Sequence, residues 1–540
     1  MGFRKNSTNQ LTIEDRMYKL TEREQRMLDK SWAKYFGDRI FPLINEEKFE
    51  VLYCNDNGRP NTPVNVVLGS LILKEMHGLT DDELVDEVIF DIRFQYALHL
   101  TSKEEIPYSD RTPSRFRERL YRHEMETGED LLKGEIERFS VEIAKMMNIS
   151  GNMKRMDSMM VSSSCKKMGR LELMYTCVMN LVKALVESGE GHLLPEHLLR
   201  YAEDGNKNAF CYRMEKDEIS TRLETVTADA LLLYEHAASM IGGAGDFQLL
   251  ERMLSDQTND GKLKPNKEVS PESLQNPSDE DATFRRKSGE GYQGYSANFV
   301  EECGEDINII TQYDYEVNLH SDIEFGKEVI ENLGSQEEKT VLIADGAYAS
   351  DENFEAASEN NIELVTTALT GQLPPAILLE FKIDDNKVAS CPAGHTPTNT
   401  TYNAEKGTMK GDFDRETCAT CPHKDSCPVK IFKTKATVTL STKSIKRAEY
   451  SQKLSTEEYK EHARKRNGVE GIPSVLRRRY NVDNMPVRGL VRSKLFFGLK
   501  IASINVKRAI CTSTFSLLCL LLLVLKDSHL FNLRFNKILL

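Results

Sequence analysis

The stretch TVLIADGAYASDENFEAASENNIELVTTA, at residues 340–368, decides the fold class of this chain. It begins with an apolar run at 340–344, passes Asp345 and a glycine, continues through a helical stretch at 351–360 and ends in a second strand-like run at 362–368. Strands that alternate with helices in this way build a sheet covered by helices. The stretch therefore predicts an α/β layer, with Asp345 at the carboxyl edge of the sheet, where open α/β folds place their sites.

Upstream of this stretch, two more strands are predicted at 294–300 and 306–315, followed by a helix at 321–332. Successive strands that give way to alternating strands and helices indicate a mixed sheet flanked by helices. The run MKRMDSMMVSSS adds another strand, and Asp157 lies within it. After that run the chain is first mostly helical and then polar and rich in Pro, Ser and Asn, so residues 168–290 are predicted to be a helical insertion that ends in a loop or linker.

Residues 1–150 are predicted to form an all-α domain. One helix ends at Gly78, and Thr80 begins the next helix with a capping box that includes Glu83. A further helix is predicted to begin at Thr112, which precedes a proline, and to point three arginines toward solvent: Arg115, Arg117 and Arg119. The helix–turn–helix-like corner at Gly78 fits a DNA-binding domain and a plain helical packing domain equally well.

Charge is distributed unevenly along the chain. The sequence has 71 Lys and Arg against 84 Asp and Glu, a formal net charge of −13, yet residues 464–508 hold 12 Lys and Arg and only two acids. A dense basic segment in an acidic protein favours a surface for a polyanion, because local charge attracts phosphates within a Debye length; a solvated helix face is the alternative. With 40% hydrophobic and 29% charged residues, the composition excludes a mainly disordered chain, a collagen-like fibre and a polytopic membrane protein.

A cysteine cluster marks residues 385–432, a region with little apolar content of its own. Four of the eleven cysteines fall within 37 residues, with His395 and His423 nearby: Cys391, Cys418, Cys421 and Cys427. Such spacing in a cytosolic protein indicates a structural zinc site in a small Cys-rich insertion. Free thiols are the alternative, and a redox role is disfavoured because no thioredoxin-like βαβ context surrounds the cluster.

The C-terminal part, residues 509–540, is apolar. Between Ala509 and Leu525 it has 17 uncharged residues, which is at the short limit for a membrane span of roughly 20 residues. A buried helix or strand is the favoured interpretation, and a membrane anchor and a divergent or frameshifted tail are the alternatives. The N-terminal residues MGFRKNSTNQ lack the apolar core of a signal peptide, which predicts a cytoplasmic location.

Several segments, taken in order, resemble a known family. They are LILKEMHGLTDDELVDEVIFDIRFQYALHL, SDRTPSRFRERL, MDSMMVSSS, GYQGYSANFV, ADGAYASDENFEAASENNIELVTTALTG and RNGVEGIPSVLRRRYNVDNMPVRGLVRSKLFFGLKIASINVKR. This order, over about residues 50–508, resembles the insertion-sequence transposases of the DDE superfamily, which have an InsH-type N-terminal domain. The resemblance implies an RNase H-like catalytic core over 151–370, carrying the helical insertion, and over 440–508.

The resemblance also implies that Asp157, Asp345 and Glu470 form a DDE triad. Such a triad would hold two Mg²⁺ or Mn²⁺ ions that act on a phosphodiester, since these ions prefer oxygen ligands. Arg466 lies four residues before Glu470 and matches the Arg of the family's Tyr–Arg–Glu–Lys signature. The Tyr position of the signature falls on Ala463, and Tyr459, one helical turn away, is a candidate substitute.

Four arginines of the basic segment are predicted to hold DNA phosphates: Arg466, Arg477, Arg478 and Arg488. Arg477 stands seven residues after Glu470, where Lys is usual in the signature. The arginines at 115, 117 and 119 are predicted to help to bind the DNA ends. Glycines at 468 and 471 crowd Glu470 and predict a break in the helix there.

The function implied is that of a transposase that binds the ends of its element, cleaves them and joins the 3′-OH to target DNA. The expected partner is double-stranded DNA, as terminal repeats and as target, with no small-molecule substrate. A homodimer or larger assembly on DNA and a cytoplasmic, nucleoid-associated location are expected. The alternatives are a related nuclease without strand transfer, an inactive DNA-binding remnant and a membrane-associated protein.

Overall fold

A computed structural model describes the protein over residues 2–6, 15–54, 60–102, 106–213, 215–238, 245–287, 289–366 and 373–527, with the backbone alone described over 514–527. Two compact units interleave along the chain. The large unit comprises residues 1–151, 158–321 and 472–540, and the small unit comprises residues 152–157 and 322–471.

Helices form the N-terminal part of the large unit, as the sequence predicts. The capping box is confirmed, because Thr80 Oγ1 accepts a hydrogen bond from the Glu83 N–H and the Glu83 carboxylate accepts one from the Thr80 N–H. Gly78 ends the preceding helix with a φ of 71°, a left-handed conformation that favours glycine. The helices are α1 (Glu22–Asp29), α2 (Trp32–Tyr35), α3 (Val64–His77), α4 (Asp81–Phe90), α5 (Ile92–Ala97), α6 (Thr112–Thr127) and α7 (Leu131–Met146).

The arginines of α6 lie only partly as predicted. Arg115 is exposed. Arg117, however, forms an ion pair with Asp81, and the Arg119 guanidinium lies 4.4 Å from the centre of the Tyr53 ring. The prediction that all three face solvent was wrong for Arg117 and Arg119, because segments far away in sequence supply a carboxylate and an aromatic face for them.

Strand β1 (Met153–Ser162) follows, with residues 152–157 in the small unit and the remainder in the large unit. After β1 comes the helical insertion that the sequence predicts. It has a hydrophobic core of its own, to which Tyr175, Leu233 and Leu250 contribute. Its helices are α8 (Arg170–Glu187), α9 (Asn206–Cys211), α10 (Glu218–Ala237) and α11 (Gly245–Gln257).

The polar segment after α11 is not a loose linker. It begins with a short hairpin of β2 (Thr258–Asn259) and β3 (Lys262–Leu263). Further along, Leu274 is fully buried and Asp279 is nearly so. The Asp279 carboxylate accepts hydrogen bonds from the Ser163 and Tyr295 hydroxyls. The predicted loop is confirmed, since residues 264–282 form no named helix or strand, and buried side-chain hydrogen bonds together with Leu274 hold this loop in place.

An antiparallel group of strands follows in the large unit: β4 (Thr283–Lys287), β5 (Glu290–Cys303) and β6 (Asn308–Val317). β5 pairs with β4 along its first residues and with β6 along the rest. The Ser163 N–H donates to the Gln293 carbonyl at 3.0 Å, where the end of β1 meets β5.

The small unit contains the parallel strands that the sequence predicts. It has α12 (Asp322–Leu333), β7 (Thr340–Ala344), α13 (Asp351–Glu359) and β8 (Ile362–Thr366). β1 pairs in parallel with β7, and β7 pairs in parallel with β8. The strand order β4–β5–β1–β7–β8, with β6 on β5, confirms the predicted mixed sheet. Residues 367–368 of the predicted last strand lie outside the described residues.

Two small sheets surround the cysteine cluster in the small unit. The first sheet is a hairpin of β9 (Lys382–Asp384) and β10 (Lys387–Ser390). The second has four strands, β11 (Asn399–Asn403), β12 (Thr408–Phe413), β13 (Val429–Ile431) and β14 (Ala436–Ser441). These four pair antiparallel in the order β11–β12–β14–β13. Helix α14 (Arg415–Ala419) lies between β12 and β13, and α15 (Thr442–Leu454) and α16 (Glu457–Asn467) follow β14.

The last helices that the structure describes are α17 (Gly471–Tyr480) and the long α18 (Leu490–Asp527). Within the large unit α18 packs on α3, α7 and β6, and the buried Asn505 amide bonds both backbone groups of Ile310. The predicted apolar tail continues α18 as far as Asp527, while residues 528–540 and the side chains after Ser513 lie outside the described residues. Among the helices that the structure describes, none is long and apolar enough to span a membrane.

Candidate active site

Strand pairing places two of the predicted carboxylates side by side. In the parallel pair of β1 and β7, Arg155 lies opposite Ile343. β7 ends at Ala344, and the same register carried one residue past that end sets Asp345 level with Asp157. Both carboxylates lie within 3.7 Å of Arg466 Nη2. Asp345 also accepts a hydrogen bond from the Ala347 N–H, which fixes its carboxylate directly after β7.

Helix α16 brings the third carboxylate to the same place. Tyr459 of α16 is buried against Ile343 of β7 and Val365 of β8, so the helix lies on the parallel strands. A single 3₁₀ turn follows α16, and Glu470 is its last residue. The helix break that the sequence predicts around Glu470 is confirmed, since α17 begins only at Gly471.

A close contact fixes this turn against β1. The Arg155 guanidinium donates a hydrogen bond to the Lys465 carbonyl at 2.5 Å. A Cβ added to Gly468 would lie 2.3 Å from Arg155 Nη1, so a residue larger than glycine would displace the guanidinium. Sequence reasoning did not identify Arg155 or explain Gly468. The sequence signal for Arg155 is weak, because it is one of two adjacent cations, Lys154 and Arg155, that precede Asp157 in β1.

Arg466 lies among the three carboxylates. Its Nη2 is 3.5 Å from Asp157 Oδ1 and 3.7 Å from Asp345 Oδ2. Its Nη1 is 3.0 Å from Glu470 Oε1. The Arg466 side chain is 14% exposed and Asp157 16%, whereas Asp345 and Glu470 are 45% and 60% exposed. The structure thus brings together three acids separated by more than three hundred residues, around one guanidinium that was predicted to hold phosphate.

Chemically, the arrangement is a set of hard oxygen ligands around a cation. Carboxylates this close repel one another unless a positive charge lies between them, and here the guanidinium supplies it. The donor set fits Mg²⁺ or Mn²⁺, which bind the same oxygens. The oxygens converge on Arg466, however, and within the described ranges no three His, Cys, Asp or Glu side chains are already arranged to hold a metal ion. Metal binding would therefore require the guanidinium to move away.

Tyr459, the candidate substitute for the tyrosine of the signature, has structural contacts. Its hydroxyl donates to Glu363 Oε1 at 3.1 Å, and its ring meets the Tyr450 ring edge-on at 6.0 Å between centroids. Burial raises the pKa of Tyr459, so the phenol stays protonated. These contacts hold α16 on β7 and β8, and thereby hold Arg466 in place.

The other arginines predicted to hold phosphate lie in the large unit. Arg477 donates to Asp483 Oδ2 at 3.1 Å and to the Met160 carbonyl at 2.8 Å, which anchors it to β1. Arg478 and Arg488 are exposed.

The four cysteines line one small cavity of about 20 Å³ in the small unit, together with His395 and His423. Burial raises the pKa of Cys418, and the neighbouring thiols Cys391, Cys427 and Cys421 raise it further, so the four sulfurs lie near one another. The thiols are free. Their donor chemistry fits zinc, which binds such sulfurs as thiolates, although they are not already arranged as a closed metal site.

Two family models match parts of the chain. Residues 26–119 match a model described as Transposase domain (DUF772), and residues 390–510 match one described as Transposase DDE domain. The second match contains the cysteine cluster, Arg466 and Glu470, whereas Asp157 and Asp345 lie between the two matched ranges. No curated protein and no solved structure matches the chain.

Proposed function

The chain belongs to the insertion-sequence DDE transposase family, and on this premise we propose that it cleaves DNA at the ends of its element and joins the freed 3′-OH to target DNA. The observation that carries the proposal is the meeting of Asp157, Asp345 and Glu470 around Arg466. Three acids gathered from distant segments onto one sheet edge are electrostatically unfavourable, and such clusters concentrate at functional sites.

The sheet supports the RNase H-like core that belongs to this proposal. β6 pairs with β5 in antiparallel fashion, whereas β1, β7 and β8 pair in parallel. The first acid lies on the central β1, and the second directly follows the neighbouring β7. The third lies on the 3₁₀ turn that follows α16, the helix that packs on β7 and β8. Each acid is thus positioned by an element of the sheet layer rather than by a free loop.

The three acids would hold two divalent cations, Mg²⁺ or Mn²⁺, which activate the attacking oxygen and stabilise the leaving oxygen of a phosphodiester. The chain itself contributes their placement. Strand register aligns Asp157 with Asp345, and the contact between Arg155 and Gly468 fixes the turn that carries Glu470. Rigid placement of this kind is what phosphoryl-transfer sites contribute to catalysis.

Arg466 has two roles in this proposal. Without metal, its guanidinium neutralises the three carboxylates and keeps them together. With the carboxylates engaged by metal, the guanidinium would be free to bind a phosphate oxygen of the DNA, for which its planar fork of donors is suited. The Arg466 Nε, which is buried without a hydrogen-bond partner in the described part of the chain, leaves a donor available for that contact.

The test is Mg²⁺-dependent cleavage of a labelled duplex that carries the DNA flanking the element's own gene. Asp345→Asn and Glu470→Gln each remove one charge with little change of shape, and we expect cleavage to fall by roughly 10³-fold or more while duplex binding persists. Asp351→Asn is the matched control, because Asp351 is an exposed acid close by that pairs only with Lys443 among the ion pairs described. Cleavage at the wild-type rate by Asp345→Asn would contradict the proposal.

A precut end with a free 3′-OH separates cutting from joining. Joined products with wild-type protein support the transposase. Cleavage without joining would indicate a related nuclease, and binding of the duplex without either reaction would indicate an inactive DNA-binding remnant.

The proposal includes a structural zinc ion held by the four cysteines. The supporting observation is that all four line one cavity beneath β13 and β14, in a region with a small apolar core. We expect about one zinc per chain by elemental analysis, its loss in Cys421→Ser and its retention in Cys54→Ser, since Cys54 is exposed and lies in the large unit. Zinc-free protein with unchanged thermal stability would contradict this part of the proposal.

The partner in this proposal is double-stranded DNA, at the terminal repeats and at the target. Two ends must be brought together for the joining reaction, so the proposal includes a homodimer or larger assembly on DNA. It also includes a cytoplasmic, nucleoid-associated location, and co-sedimentation of the protein with nucleoids tests it.

A further inference from the structure

A cleft of about 880 Å³ opens within the large unit. Its walls are the end of α3, the start of α4, the first turns of α6, the end of α17 and the first turns of α18. Charged side chains dominate these walls, with seven cations against three carboxylates, namely Lys74, Arg111, Arg115, Arg117, Arg479, Arg492 and Lys500 against Glu75, Asp81 and Glu118. The cleft therefore has a local excess of positive charge in an acidic protein.

The carboxylates of the cleft are already neutralised. Each one has a cation of its own: Glu75 pairs with Lys500 at 2.6 Å, Asp81 pairs with Arg117, and Glu118 pairs with Arg492 at 3.1 Å. Lys74 lies 3.5 Å from both Glu75 and Asp81. Lys74 and Lys500 are buried, so these pairs form the floor of the cleft.

Three arginines remain at the rim: Arg111, Arg115 and Arg479. All three are exposed, and none has an ion pair with any residue in the part of the chain that the structure describes. Arg111 is the N-cap residue of α6. The first turn of α6 has neither a side-chain cap nor an acid, so the positive end of that helix dipole adds to the same potential. The excess of positive charge is thus concentrated at the exposed rim of the cleft, where a ligand from solvent makes its first contact.

The neighbouring helix–turn–helix-like corner does not fit the same ligand. Its second helix, α4, carries five acids and no cation, and three of those acids lie in its first turn. A helix of this charge would be repelled by DNA phosphates. The positive surface of the N-terminal region therefore lies on α6, facing α17, and the corner fits the helical packing role, which is one of the two roles that the sequence left open for it.

We propose that this cleft binds the phosphate backbone of double-stranded DNA, with Arg111, Arg115 and Arg479 as the phosphate ligands. Arg117 and Arg492 are then supports that neutralise the floor rather than DNA ligands. The inference rests on the proposed function in that it takes DNA as the partner. Contacts of this kind position a duplex without reading its sequence.

The test measures binding of a fluorescein-labelled 30-base-pair duplex by anisotropy, in EDTA and at several salt concentrations. Because each phosphate contact contributes a slope of about −0.9 to the plot of log K against log salt, the triple variant Arg111→Ala, Arg115→Ala, Arg479→Ala is expected to lose about 2.7 of that slope. Relative to 1 M salt, where the two proteins are expected to bind alike, the same arithmetic predicts affinity lower by roughly 500-fold at 0.1 M salt.

Two further variants control the measurement. Arg23→Ala changes an exposed arginine on α1 that does not line the cleft, and it is expected to bind as wild type does. Replacing the three rim arginines by lysine keeps the charge and is expected to retain most of the binding, which separates lost phosphate contacts from misfolding.

Unchanged affinity and slope in the triple alanine variant would overturn the inference, and so would a wild-type protein that does not bind the duplex. The binding is measured without metal, so failure of cleavage in the assays above leaves this result unaffected. Loss of binding in the triple variant with no cleavage by wild type would support the cleft and contradict the proposed function.

Discussion

The two halves of the basic segment at 464–508 have the same sign of charge and different surroundings. Four of the five cations that this segment has in α18 pair with carboxylates of the large unit: Arg492 with Glu118, Lys494 with Glu124, Lys500 with Glu75 and Arg508 with Glu301. In α17 and the turn after it, Arg478, Arg479 and Arg488 are exposed. The difference shows that charge density along the sequence does not distinguish cations that stabilise the fold from cations that are available to a ligand.

The largest effect of this difference on stability is expected at Arg508. The Glu301 side chain is fully buried, and Arg508 Nη1 lies 2.6 Å from it. Arg508→Met leaves a buried carboxylate without that partner, so we expect a loss of about 3–5 kcal/mol in the free energy of unfolding, measured by urea denaturation. Arg488→Met is the control and is expected to change stability by less than about 0.5 kcal/mol. Equal stability of the two variants would contradict the distinction between cations of α18 that stabilise the fold and exposed cations in and after α17 that do not.

Glu137 is the reverse case, a carboxyl without a cation of its own. Lys133 lies 3.9 Å from it but pairs more closely with Asp314, and burial raises the pKa of Glu137 to about 7. A raised carboxyl pKa means that the folded state binds more protons than the unfolded state, so stability falls as pH rises from about 4.5 to about 7. We expect Glu137→Gln to remove about 2 kcal/mol of that fall, measured as unfolding free energy at pH 5 and pH 8. The same pH dependence in wild type and variant would contradict this account.

Two arginines of α6 allow the comparison to be made within one helix. Arg117 is 14% exposed, pairs with Asp81, and its guanidinium carbon lies 5.1 Å from the centre of the Phe496 ring. Arg117→Ala is expected to lower stability by about 1–2 kcal/mol, and Arg115→Ala to leave it unchanged while weakening DNA binding. Thermal unfolding and duplex anisotropy measured on both variants test this. If Arg115→Ala lowered stability and Arg117→Ala weakened DNA binding instead, the account would have assigned DNA contact to the wrong arginine.

Small effects on stability, like that expected for Arg115→Ala, are expected at Arg478 and Arg488. Both are exposed, so alanine at either position is expected to change the unfolding free energy by less than about 0.5 kcal/mol. If each holds one phosphate, each substitution lowers the salt slope of duplex binding by about 0.9. A slope equal to that of wild type would show that the exposed cation is only solvated.

Local patterns in the sequence predicted much of the fold. The alternation in residues 340–368 predicts β7, α13 and most of β8, and the pair of Thr80 and Glu83 predicts the start of α4. The sequence predicted a loop around Asp279 but not its fixed position, which comes from hydrogen bonds to Ser163 and Tyr295 that no local pattern encodes.

For the candidate site, the three acids were chosen from a resemblance rather than from local chemistry. The sequence did not indicate that Arg466 contacts all of them, or that Gly468 leaves space for Arg155. Both are contacts between β1 and the end of α16, more than three hundred residues apart, and only the register of β1 on β7 and the packing of Tyr459 bring these segments together.

Diffraction at the manganese absorption edge from crystals soaked in Mn²⁺ tests the central claim most directly. The account predicts Mn²⁺ bound by carboxylate oxygens of Asp157, Asp345 and Glu470, with the Arg466 guanidinium displaced from them. Manganese bound elsewhere, or the guanidinium still seated among the three carboxylates at saturating Mn²⁺, would contradict it.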